Sequence, residues 1–355
     1  MYQIFNTAKS TWDQQLDDIK NAKSSIYFEQ YILSDFQDGE IGRQFIDALM
    51  NKAQEGLEVR LILDFQGSIG LFKDPDLNQK LKDSGLIIDY YKTLPFFRAF
   101  SPIRIMLRDH RKFLLIDHEI TWIGGVVVGE DFREWSDLMV RFTDLQIADF
   151  SNREFKRQLQ RIGDGGIILA PLDRIDSEHT LVGNSPGLGN RYCYERMAHQ
   201  ILLAKKSVVI VTPYFAPPLR MRRVIERRLS EGLEITLVIP KHSDHEQADW
   251  AREVILNQLL KMGLIVKYLD FMNHAKIIAA DHDWVTFGST NIDALSLISN
   301  HELNMETTDT NLVTDIYKEI NNWSKDTSRI NNKTLLYKSL SAKQKFIGII
   351  MRYLV

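Results

Sequence analysis

Residues 109–125 read DHRKFLLIDHEITWIGG, and residues 273–289 read NHAKIIAADHDWVTFGS. His110, Lys112 and Asp117, followed by Gly124 and Gly125, recur as His274, Lys276 and Asp281, followed by Gly288 and Ser289, at identical intervals. With nine histidines in the chain, one such spacing arises by accident roughly 2% of the time, and two at matching places far less often. A lone histidine is most often a satisfied core residue. The repetition argues against that reading here.

Working outward, the echoes continue in the same order. Ala22-Lys23-Ser24-Ser25 leads into IYFEQYIL, and Ala204-Lys205-Lys206-Ser207 leads into VVIVTPYF. EGLEVRLILD (Glu55 to Asp64) is matched by EGLEITLVIP (Glu231 to Pro240), each after a helix-like stretch, IGRQFIDALMNKAQ or MRRVIERRLS. Strands alternating with helical segments predict an α/β fold of two tandem repeats, each a mostly parallel mixed sheet flanked by helices. The glycines in Arg161-Ile162-Gly163-Asp164-Gly165-Gly166 mark the boundary, giving expected units of 1–163 and 164–355.

The remaining composition narrows the class. The chain has 355 residues, 44% hydrophobic and 26% charged, as in folded globular proteins. A net charge of −3 does not announce a nucleic-acid binder, and any basic surface must be local. The single cysteine, Cys193, excludes a disulfide framework. No signal peptide is visible at the N-terminus, and no apolar run approaches the roughly 18 residues of a spanning helix.

Both motif segments read as a strand, a short polar turn and a second strand. Side chains alternate along a strand, so His110 and Lys112 share one face while Asp117 points away, and the same parity separates His274 and Lys276 from Asp281. The aspartates therefore read as supports near the turns. Gly125 permits close approach of backbone and phosphate, and Ser289 and Asn291 are candidate phosphate donors on one face. Two histidines and two lysines converging on one site fit phosphodiester cleavage. The ammonium groups neutralise the non-bridging oxygens, one neutral imidazole attacks phosphorus, and the other, protonated, donates to the leaving oxygen. No His, Cys and carboxylate cluster has metal-ligand spacing, so no metal or other cofactor is expected.

These residues resemble the phospholipase D superfamily, whose signature is HxK(x)4D with a trailing GG or GSxN. The similarity covers nearly the whole chain and looks closest to the bacterial cardiolipin synthases, in AKSSIYFEQYIL, Thr212 to Pro217, Ser243-Asp244-His245 with Trp250, and NIDALSLISNHELN. The resemblance implies a metal-independent phosphohistidine intermediate formed between the two halves, with His110 as nucleophile and His274 as general acid. It also implies that each histidine pairs with a carboxylate from the opposite half, which matches Asp137 and Glu302. Such a carboxylate would fix the tautomer and favour the charged imidazole. Two positions depart from the family pattern: Val127 stands where asparagine is common, and Leu295 where arginine is common.

The expected activity is phosphatidyl transfer, with cardiolipin formed from two phosphatidylglycerols. A hydrolytic phospholipase D is the alternative, and a nuclease a more distant one. The expected partner is a phospholipid, with no nucleic acid, at the cytoplasmic face of a membrane. Lys92 to Lys112 mixes aromatic and basic residues, and Lys343 to Val355 is apolar enough to lie on a bilayer. Each also reads as chain packed on its own domain. Arg220, Arg222, Arg223, Arg227 and Arg228 read as a solvated helix face or an anion-holding surface.

Overall fold

The computed structural model describes residues 1–91, 108–164, 170–185, 190–325 and 327–330, and positions 341, 342, 344, 347 and 348. Most of the aromatic-basic segment and most of the apolar tail lie outside the described residues.

The first sheet contains β1 (Tyr2–Thr7), β2 (Ser25–Gln30), β3 (Glu58–Asp64), β4 (Ile87–Tyr91), β5 (Lys112–Ile116), β6 (Ile120–Gly124) and β7 (Ser136–Phe142), in the order β1-β7-β6-β5-β2-β3-β4. A nine-stranded second sheet is built from β8 (Leu172–Arg174), β9 (His179–Asn184), β10 (Ser207–Val211), β12 (Glu234–Pro240), β13 (Ile265–Leu269), β14 (Ile277–Ala280), β15 (Trp284–Gly288), β17 (Glu302–Thr307) and β18 (Ser328–Ile330). Two short strands, β11 (Phe215–Ala216) and β16 (Ile292–Asp293), pair beside it. Parallel pairing is confined to β2-β3-β4 in one sheet and β10-β12-β13 in the other. The motif strands and their neighbours pair antiparallel. Both sheets are thus mixed but mostly antiparallel, not mostly parallel as expected, because each motif is a hairpin rather than a crossover unit.

Helices α1 (Ala8–Asn21) and α2 (Ile41–Gln54) cover one face of the first sheet. Its opposite face packs toward the second sheet, with α5 (Leu145–Asp164) and α9 (Thr310–Trp323) in the shared core. Two short helices, α3 (Ile69–Phe72) and α4 (Pro75–Asp83), precede β4. Helices α6 (Tyr192–Leu203), α7 (Leu219–Ser230) and α8 (Glu246–Lys261) cover the outer face of the second sheet. The motif strands explain the layering. Phe113 and Leu115 enter the shared core while Leu114 and Ile116 enter the outer one, and Ile277 and Ala279 alternate with Ile278 and Ala280 in the same way. Sheets buried on both faces require such continuous apolar runs. Among the described residues no helix is long and apolar enough to cross a membrane.

Candidate active site

The motif aspartates anchor the frame. Asp117 and His118 have φ of 54° and 56°, and Asp281 and His282 have 54° and 64°, so both hairpins close through two left-handed residues. That turn matches the twist of the flanking strands. The Asp117 carboxylate accepts from the backbone N–H groups of Lys23, Ser24 and Ser25 at 2.7–3.1 Å. Asp281 accepts from those of Lys205, Lys206 and Ser207 at 2.7–3.0 Å. Burial disfavours both charges, but the amide donors outweigh it and hold both carboxyls below the usual aspartate range. Each aspartate ties its hairpin to the start of the neighbouring strand, away from the reacting groups.

At the other end of the hairpins the halves interlock. His110 N–H donates to the His301 carbonyl (3.0 Å), and His274 N–H donates to that of Ser136 (2.7 Å). The next residue on each partner segment is the carboxylate the sequence singled out. His110 Nδ1 lies 3.1 Å from both Glu302 oxygens, and His274 Nδ1 lies 2.8 Å from Asp137 Oδ2. All four residues are at most 8% exposed. The pairing is exchanged between repeats, so neither half holds a complete histidine–carboxylate pair.

Glycine makes one of these pairings possible. A Cβ on Gly125 would stand 2.3 Å from Asp137 Oδ1. Gly125 therefore admits the carboxylate rather than lining a phosphate site. Ser289 likewise differs from its expected role: its hydroxyl is buried, donates to Glu302 Oε2, and accepts from Leu303 N–H at 3.0 Å. It orients Glu302 and is not part of the cleft wall. Asn291 does line the cleft, and its buried Oδ1 has no hydrogen-bond partner among the described residues.

The lysines are more buried than their sequence role suggested. Lys112 and Lys276 are 1% and 2% exposed, and each Nζ donates to the carbonyl oxygen of its own histidine. Lys276 Nζ also stands 2.7 Å from His274 Nδ1. Burial, then the neighbouring Lys276 ammonium, brings Lys112 well below the usual lysine value, and burial brings Lys276 to about 8. The histidines correct another expectation. Burial and Lys276 lower His274 to about 4 against the opposing pull of Asp137. His110 is also lowered, by burial first and then the lysines, against Glu302. The carboxylates fix geometry, yet desolvation makes both imidazoles neutral at rest.

The two histidines open onto one cleft of about 620 Å³. The first half contributes Tyr31, Gln66, Arg108, Val127, Phe132 and Trp135, and the second contributes Tyr214, Asp244, His245, Asn291, Asp293 and Leu295. Tyr31 packs edge-on to His110 with ring centroids 4.8 Å apart, while Trp135 and Tyr214 lie 5.3 and 6.4 Å from His274. Tyr31 and Tyr214 follow the matched strands β2 and β10, a placement the internal repeat could have disclosed. Val126 and Val128 enter the core, while Val127 faces the cleft.

Helix α5 adds an asymmetry with no sequence echo. Arg111, fully buried, donates to Glu154 Oε1 (2.7 Å), Gln158 donates to Asp109 Oδ2 (3.0 Å), and Arg161 Nη1 lies 3.3 Å from His301 Nδ1. Asn273 and Ala275 occupy the positions of Asp109 and Arg111 in the second motif.

Exchanged histidine–carboxylate pairs on duplicated hairpins define a two-repeat phospholipase D-like protein. The chain belongs to the family described as cardiolipin synthase, PLD-like domain, whose model matches residues 16–159 and 197–323. The cardiolipin synthase of Clostridium perfringens strain 13 is 28% identical over 321 residues, covering 85% of this chain and 66% of that protein. The major cardiolipin synthase of Bacillus subtilis strain 168 is 28% identical over 320 residues, covering 85% of this chain and 64% of that protein. The chain thus spans just under two thirds of the length of these relatives. Among solved structures, phosphatidylserine synthase from Haemophilus influenzae Rd KW20 shares the fold, with a TM-score of 0.75 at 14% identity over 99% of this chain and 94% of that one. Polyphosphate kinase from Porphyromonas gingivalis also superposes, with a TM-score of 0.64 at 16% identity, covering 100% of this chain and 53% of that one.

Proposed function

We propose that this protein is a phosphatidyltransferase that forms a phosphohistidine intermediate and makes cardiolipin from two phosphatidylglycerols at the cytoplasmic surface of a membrane. The observation that carries the reading is the exchanged pairing of His110 with Glu302 and of His274 with Asp137 around one cleft. Residues 1–163 and 164–355 act as the two units, each supplying one histidine and the carboxylate that orients the other.

With Nδ1 turned to its carboxylate, each imidazole leaves Nε2 as the reacting nitrogen. His110 Nε2 attacks phosphorus, the bond to the leaving glycerol breaks, and His274 supplies that oxygen's proton. The acceptor hydroxyl then returns a proton to His274 as its oxygen attacks phosphorus and the bond to His110 breaks. At rest His274 is neutral, at about 4. The anionic phosphodiester raises its proton affinity on entering, because an adjacent negative charge favours imidazolium. Lys112 and Lys276 stabilise the equatorial oxygens through their field, a task a divalent cation performs elsewhere. Full turnover in excess chelator is therefore expected, and a strict metal requirement would count against the mechanism.

Rapid quench with labelled phosphatidylglycerol followed by peptide mapping tests the assignment. The label is expected on His110. Label on His274 would reverse the two roles, and turnover surviving either His→Ala change would end the mechanism.

A further inference from the structure

The walls of the cleft differ in charge. Arg108 lies on the His110 side with Tyr31 and Gln66, whereas two carboxyl groups line the His274 side. Asp244 Oδ1 accepts from the Tyr214 hydroxyl at 2.6 Å, and the Tyr214 ring stands edge-on to His274. Asp293 is 3% exposed, and its Oδ1 accepts from Ser296 N–H at 2.8 Å. Asn291 and Asp293 are two residues apart in an extended segment and so share a face. Asn291 is 4% exposed, and its unpartnered Oδ1 is a buried acceptor in the cleft wall. A buried acceptor without a donor is costly in the unliganded protein.

We infer that Asp244, Asp293 and Asn291 form the subsite for the alcohol that leaves and for the one that replaces it on phosphorus, and that they exclude a headgroup carrying its own carboxylate. The inference rests on the phosphatidyl-transfer reading, because the group that protonates the leaving alcohol defines where that alcohol sits. Neighbouring hydroxyls donate to the carboxyl oxygens and to Asn291 Oδ1, leaving a further hydroxyl free to meet His274. A headgroup that carries its own carboxylate is repelled by this wall. A quaternary ammonium has no N–H to give Asn291, so it leaves the buried acceptor unsatisfied. The exchange balances without a co-reactant: one P–O bond breaks and one forms, and a single proton passes through His274.

Competition between acceptors tests the subsite. Soluble short-chain phosphatidylglycerol serves as donor, with equal concentrations of deuterated glycerol, serine and ethanolamine, and the products are resolved by mass spectrometry. Wild type is expected to give the deuterated glycerol and ethanolamine products in excess over the serine product. Asp244→Asn should lower the ratio of glycerol to serine product by about tenfold, because a neutral amide replaces a charged acceptor; burial raises Asp293 to about 7, so Asp293→Asn should do the same only when the assay is run above that pH. The ratio is read within one reaction and is independent of total turnover. Asp244 lies at the rim with its side chain 32% exposed, so its variant carries the test if Asp293→Asn does not fold. An unchanged ratio in a folded variant, or a wild-type preference for serine, would overturn the subsite. Wild type that releases no headgroup at all would overturn the underlying transfer reading, and the subsite with it.

Discussion

Replacing Glu302 by glutamine isolates the contribution of one negative charge to the chemistry at His110. The carboxylate is fully buried, with both oxygens 3.1 Å from His110 Nδ1. In the proposed mechanism His110 attacks phosphorus and its ring becomes positive. A unit pair at that distance is worth about 5 kcal/mol at an effective dielectric near 20. An amide oxygen retains part of this as a hydrogen bond, leaving a loss of roughly 3–5 kcal/mol, or about 10²- to 10⁴-fold in kcat. Local bonding sharpens the expectation. Ser289 donates to Oε2, so the carboxylate receives two donors, whereas an amide offers one oxygen. If the amide nitrogen turns to His110, the ring is driven into the tautomer with Nε2 protonated and cannot attack. If it turns to Ser289, that hydroxyl must redirect toward the Leu303 carbonyl, 3.4 Å away. Single-turnover quench should therefore show slow phosphohistidine formation in a variant with native circular dichroism and an unchanged unfolding midpoint. A folded Glu302→Gln enzyme within threefold of wild type would refute the reasoning.

Three further outcomes are expected. Val127→Asn should restore a second amide opposite Asn291 and raise kcat, whereas Asn291→Val should lower it by roughly 10- to 150-fold, the worth of a hydrogen bond to charge; a neutral, well-folded Val127→Asn would mean another donor already serves that oxygen. His274 falls from 6.5 to about 4 on folding, so the folded state binds fewer protons between those values. That stability is complete above about pH 6.5 and fades as pH drops through 4, about 3 kcal/mol in all. Denaturant titrations at pH 7 and pH 4 should show this acid sensitivity in wild type and not in His274→Gln, and equal sensitivity in both would contradict it. Gly125→Ala should displace Asp137, because its Cβ would stand 2.3 Å from Oδ1; turnover and the His274 titration followed by NMR should change together, and an unaltered titration would refute the displacement.

The hairpins and the repeat were legible because each rests on residues whose type and spacing recur, whereas both histidine–carboxylate pairs were reached only through the family resemblance, since Asp137 and Glu302 differ in type and in their distance from the motif histidines. What stayed hidden follows from two features of the chain. The predominance of antiparallel pairing was obscured because β5 and β14, buried on both faces, have the continuous apolar composition expected of parallel strands. Ser289 looked like a phosphate donor because sequence parity gives a face but not a partner, and Glu302 reaches it from thirteen residues away. The neutral histidines were hidden for a related reason: a carboxylate neighbour is visible in sequence, while the burial that outweighs it emerges only when the halves close. The clamp from α5 was out of reach because the residues it holds, Asp109 and Arg111, stand as Asn273 and Ala275 in the second motif, so the internal repeat does not point to it.

That last asymmetry bears on how a twofold site divides the two proposed roles between its histidines. The hairpins place both histidines alike, so motif geometry gives neither a role. Their surroundings separate them. Around His110, α5 fixes Asp109, Arg111 and His301 through buried charged bonds, while Ser289 holds Glu302. A covalent nucleophile benefits from such a fixed frame, since its attack geometry must be reproduced at each turnover. His274 instead has Lys276 2.7 Å from its inner nitrogen. Once substrate charge has brought a proton to it, that ammonium makes His274 a readier donor, as a general acid for an alkoxide requires. On the proposed mechanism, the duplicated hairpins supply two equivalent imidazoles, and residues outside the motif fit one to bond phosphorus and the other to pass a proton.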